Sequence, residues 1–155
     1  MLLTTDVRPL AFAGTFAVAI FLALSFIAIG RHLAREKSLY ASGLIFSAVV
    51  YPVLTLAGIY RGNFWLEAVG LFVFLTIALI GCRLHRRWLA FGWAGHATWD
   101  VLFPSAPWWY IHGCIAFDLF LAGYIVGQIP GGLTQRTNQK SGDLGHADDH
   151  ARSIR

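Results

Sequence analysis

Charge is scarce in this 155-residue sequence: Asp, Glu, Lys and Arg make up 13% of it, against about 25% in a soluble domain. Cysteine is scarcer still, at two residues. Cys82 and Cys114 fall in different apolar blocks and form no CxxC or zinc-type spacing, which argues against a disulfide and against thiol exchange. They read as small core residues. The chain has no Gly-rich nucleotide-binding loop and no G-x-S-x-G element, so nucleotide and serine hydrolysis find no support. It also lacks a basic stripe with interleaved aromatics, and the net charge of +4 therefore does not point to nucleic acid.

What is present is apolar. Hydrophobic residues make up 57% of the chain, the mean hydropathy is +0.60, and the apolar residues fall in long blocks. That pattern predicts an all-α integral membrane bundle with room for four or five spans and no separate soluble module. Five spans are expected, at about Pro9–Gly30, Leu39–Tyr60, Phe64–Gly81, Trp88–Phe103 and Trp108–Ile129. The first is too long for a signal-peptide core, and Asp6 and Arg8 make a poor leader in front of it. Pro52 is expected to kink the second. The fourth is short for roughly 30 Å of hydrocarbon and needs shielding by its neighbours. Trp108, Trp109 and Tyr110 form an interfacial belt at the start of the fifth. Residues 1–129 read as one transmembrane domain and 130–155, rich in Gly, Asn, Ser and charge, as a disordered tail.

Most basic residues sit in two connectors, Arg31, His32, Arg35, Lys37 and then Arg83, His85, Arg86, Arg87, and in the tail, with Arg61 on the other side. With five spans all three segments fall on one side. The positive-inside rule makes that side cytoplasmic, with the N-terminus outside. The expected location is a bacterial inner membrane and the first partner is the lipid bilayer.

Against this background four ionisable residues stand out: Glu67, His96, Asp100 and Asp118. A charged side chain in hydrocarbon costs roughly 2.5–3.5 kcal/mol on insertion scales, so such residues usually serve a function. His96 and Asp100 are four apart and share a helix face. At about 1.5 Å per residue, Glu67 and Asp100 lie about one turn below the outer surface, while His96 and Asp118 lie near mid-membrane. All four can meet in a cavity open to the outer side. A polar network that only glued helices together would need no carboxylates, since serine or asparagine would serve. Trp93, Trp99, Tyr110, Tyr51 and Tyr60 are candidates to line such a cavity. His112 joins them although it points about 120° away from Asp118 on its helix. Gly92 and Gly95 allow close helix approach. Gly145-His146-Ala147-Asp148-Asp149-His150 in the tail looks metal-like but reads as solvated.

The run Gly95-His96-Ala97-Thr98-Trp99-Asp100, followed by Trp109-Tyr110, Cys114 and Asp118 and preceded by Glu67, resembles a family of small bacterial membrane proteins of unknown function. In that family an H-x-x-W-D element precedes a W-Y…C…D element in the next span. The resemblance covers about residues 60–125 and marks the cluster as a unit without implying an activity. A looser likeness, of architecture alone, is to small helical sterol-isomerase bundles with an intramembrane Glu, His, Asp and Trp pocket.

The favoured expectation is binding of a lipophilic small molecule and general acid–base chemistry on it, of an isomerase or cyclase kind. Desolvated carboxyl groups can hold a proton at neutral pH, His96 can exchange one, and aromatic faces can stabilise a developing cation. No cofactor is named by the sequence and no metal ligands are assigned. A metal-dependent enzyme is the alternative suggested by histidines among carboxylates, against the absence of an E-x-x-H spacing. A proton-coupled carrier would need a homodimer to supply an even repeat. An accessory subunit of a membrane complex would suit the bland first span.

Overall fold

The computed structural model describes residues 9–59, 62–104 and 106–128. Among them are five α-helices and no strand: α1 Pro9–His32, α2 Glu36–Leu56, α3 Phe64–Arg83, α4 Arg86–Leu102 and α5 Trp108–Gly127. Helices α1, α2, α3 and α5 are long and apolar enough to cross a membrane. Helix α4 has 17 residues, about 25 Å of rise, and carries the most polar sequence of the five. Tyr60 and the tail from residue 130, with His146 and His150, lie outside the described residues.

Local chemistry sets the helix ends. Helix α2 stops at Leu56 rather than running to residue 60, and Gly58 just beyond it takes a φ of +70°, a left-handed conformation open to glycine at little cost. Asn63 caps α3, its side-chain oxygen accepting from the N–H groups of Trp65 at 3.1 Å and Leu66 at 3.4 Å. Helix α2 begins earlier than expected because Glu36 joins its first turn, where a negative charge suits the helix dipole.

Each helix packs on the next in the chain, and α5 returns to α1, which closes a five-membered ring; α2 and α4 also touch across it. Alternation of direction makes α1 and α5 parallel, and Phe12 accordingly stacks on Trp108 with ring centroids 6.4 Å apart. At the opposite end Arg86 pairs with Glu36 at 3.1 Å, so the two basic connectors share one end of the bundle.

The interior is aromatic and tightly approached. Trp93 is wholly buried, with Phe117 at 5.6 Å and Phe26 at 6.5 Å between centroids. Glycines make the contacts short: a Cβ on Gly92 would lie 2.5 Å from Leu44, and one on Gly70 would lie 2.8 Å from Trp99. The outer surface is apolar as well, with Phe21, Phe46 and Phe72 exposed by 69%, 70% and 71%. So much exposed hydrocarbon around a ring of helices matches a lipid surround.

Candidate functional site

The buried polar and charged side chains among the described residues are Glu67, His96, Asp100 and Asp118, each no more than 5% exposed. Three of them meet where α4 packs on α5. His96 and Asp100 project from one face of α4 because they are a helical turn apart, and Asp118 reaches them from the middle of α5. The Nδ1–H of His96 donates to Oδ2 of Asp118 at 2.8 Å. Asp100 Oδ2 lies 3.9 Å from the same nitrogen, beyond hydrogen-bond range. Neither Asp100 oxygen has a partner at strict hydrogen-bond geometry, the Tyr51 hydroxyl being its other polar neighbour. The imidazole is held by ring contacts, edge-on to Phe74 of α3 at 5.0 Å and tilted to Tyr51 of α2 at 6.2 Å between centroids. Four helices thus converge on His96.

Two spaces border this cluster. The larger is a groove of about 470 Å³ between α1 and α5, within the range of small-molecule sites. Gly14, Thr15, Val18, Ala19 and Leu22 form one wall, Tyr110, Gly113, Cys114 and Phe117 the other, and Ser47 and Asp118 lie at its inner end. Val18 at 59% and Leu22 at 53% exposure put its rim on the outside of the bundle. The smaller space, among α2, α3 and α4, is lined by Tyr51, Glu67, Gly70, Phe74, His96 and Trp99. Glu67 sits beneath the connector before α3, where a Cβ on Gly62 would collide with its carboxyl group and lie 2.8 Å from Thr55 Oγ1. Both carboxyl oxygens of Glu67 are buried without a hydrogen-bond partner, and the buried Tyr51 hydroxyl neighbours Asp100.

The expected residues therefore divide. His96, Asp100 and Asp118 come together, whereas Glu67 occupies the neighbouring small space with Tyr51 and Trp99. Tyr110 lines the groove. Trp93 is packed into the core and belongs to the wall of neither space. The Nδ1–H of His112 donates to the Trp108 carbonyl at 2.7 Å, and its ring packs against Phe12 at 5.4 Å. The whole α1 wall, with Ser47 and Phe117, escaped the sequence reading. A faint signal existed in Gly14 and Gly113, small residues on the two facing helices; a Cβ on Gly113 would meet Thr15 at 3.3 Å.

This arrangement joins a largely apolar, laterally open groove to a buried imidazole and carboxylate pair that can exchange a proton with whatever polar atom reaches it. Compared with protein-family models, curated proteins and solved structures, the chain finds no match. Its function has to be argued from this geometry.

Proposed function

We propose that the chain is a five-span protein of the bacterial inner membrane that binds a lipophilic molecule in the α1–α5 groove and acts on its polar end by acid–base chemistry. The observation that carries this reading is the inner end of the groove: the apolar walls lead to Asp118, whose carboxylate is hydrogen-bonded to His96. A hydrocarbon chain entering from the bilayer would lie along Val18, Leu22 and Phe117 and present its polar atom to Asp118. His96 and Asp118 would pass a proton to or from that atom, and the Tyr110 ring would face a developing cation.

A fifth span through α4 is supported by its shielding. Although only about 25 Å long, α4 packs on α2, α3 and α5 and turns Leu89, Gly92, Trp93, His96 and Asp100 inward. An outside N-terminus is supported by the two basic connectors at one end of the bundle. The bacterial inner membrane rests on the sequence resemblance.

Native mass spectrometry of gently solubilised protein tests the binding step. Wild type is expected to carry a discrete lipophilic adduct, and Asp118→Asn, which keeps the shape of the side chain, is expected to lose most of it. An adduct retained equally by the variant removes Asp118 from the site. A wild type without any adduct favours a carrier awaiting substrate or a subunit awaiting its partner.

A further inference from the structure

Beyond the groove, we infer that His96, Asp100 and Asp118 form a binding site for one divalent transition-metal cation of the zinc and iron(II) class, at the inner end of that groove. The first observation is geometric. Each residue offers a ligand atom, and the three atoms lie within 4.8 Å of one another. Nitrogen and oxygen ligands at 2.0–2.2 Å on tetrahedral corners stand about 3.4 Å apart. The two separations from His96 Nδ1, 2.8 Å to Asp118 and 3.9 Å to Asp100, fall on either side of that value.

The second observation is independent of the first. Asp100 is 1% exposed, yet neither of its carboxyl oxygens has a partner at hydrogen-bond geometry; its polar neighbours are the Tyr51 hydroxyl and, at 3.9 Å, Nδ1 of His96. His96 can neutralise one carboxylate, and its Nδ1–H is already given to Asp118. A proton on Asp100 would remove the second charge but leave its oxygens short of well-formed hydrogen bonds, with the Tyr51 hydroxyl as their neighbour. A cation among the three residues removes both deficits at once. It would use Asp100 as a ligand, take the place of the His96 Nδ1 proton, so that the proton exchange proposed above belongs to the metal-free protein, and balance two carboxylates in a low-dielectric interior.

The donor set narrows the ion. One imidazole and two carboxylates are harder than a thiolate site and softer than an all-oxygen calcium or magnesium cage, which suits zinc, iron(II) or manganese(II). Three protein ligands leave an open position, as catalytic rather than structural sites do. Asp118 both lines the groove and supplies a ligand, so the polar atom of a groove-bound molecule would stand beside that position. Because Nδ1 must lose its proton to ligate, binding releases protons and tightens as pH rises.

The test is metal analysis of full-length protein purified without a histidine tag, stripped with a chelator and reloaded separately with zinc and cobalt(II). The expected result is about one equivalent per chain in wild type and in His112→Gln, with a cobalt spectrum of low coordination number. His96→Gln and Asp100→Asn should each weaken binding by more than about 100-fold, beyond the loss of an outer-shell partner. Should either variant fail to fold, Asp100→Glu is expected to keep the metal and shift the cobalt spectrum. Clearly substoichiometric metal in reloaded wild type overturns the inference. So does metal retained in His96→Gln and Asp100→Asn, or a cobalt spectrum that Asp100→Glu leaves unchanged. Scoring the lipophilic adduct on the same samples separates the two proposals, since either occupant can be absent while the other remains.

Discussion

Asp118 and Asp100 are both carboxylates buried to 1% exposure, yet they differ in what they touch. Asp118 is bonded to His96 and reaches the groove, whereas Asp100 lies 3.9 Å from the same imidazole nitrogen with the Tyr51 hydroxyl as a neighbour. The spacing of His96 and Asp100 made their shared face legible in the sequence. The bond that matters most, between His96 and Asp118, joins residues of two helices and no local spacing could announce it. Trp93 shows the converse limit. A buried tryptophan and a pocket-lining one have the same sequence signature, and here packing against Phe26 and Phe117 decides for the core. The glycines carry a prediction at this scale. In Gly92→Ala the new methyl would meet Leu44 at 2.5 Å and Ile77 at 2.9 Å, from two sides of a packed interior. Thermal unfolding in detergent is expected to show a loss of about 1–3 kcal/mol.

At the scale of elements, five helices could be read from apolar blocks and their punctuation. The Gly and Asn signals around residues 58–63 and the prolines before α5 mark breaks that the backbone cannot cross as helix. Where a helix carries no ionisable residue, which of its faces looks inward could not be read. In a membrane bundle both the interior and the lipid side are apolar, so α1 and α5 carry no amphipathic stripe to betray a groove between them. Helix α1 therefore looked bland although it forms a whole wall. Val18→Trp puts that role to the test: filling the groove from α1 is expected to abolish the lipophilic adduct in native mass spectrometry. Stability should stay within about 0.5 kcal/mol of wild type, as for a surface substitution. Metal content is expected to stay at wild-type level, because Val18 stands at the exposed rim of the groove while Asp118 is buried.

For the whole molecule, the closing contact of α5 on α1 makes a ring out of what would otherwise be a row of hairpins, and the groove lies at that seam. The basic connectors lie at one end, tied by the Arg86–Glu36 ion pair, and the positive-inside rule makes that end the proposed cytoplasmic one. Reporter fusions are expected to place residues preceding α1 and the connector between α4 and α5 outside, and the connector between α3 and α4 in the cytoplasm. A cytoplasmic signal from both sides of α4 would reduce it to a re-entrant helix. The most direct measurement for the whole account is photolabelling of the protein in nanodiscs with a photoactivatable lipophilic probe, followed by peptide mapping. Crosslinks concentrated on α1 and α5 around Val18, Leu22 and Phe117, and depleted in Asp118→Asn, are the predicted result. Crosslinks spread evenly over lipid-facing residues such as Phe46 and Phe72, and indifferent to Asp118→Asn, would contradict it.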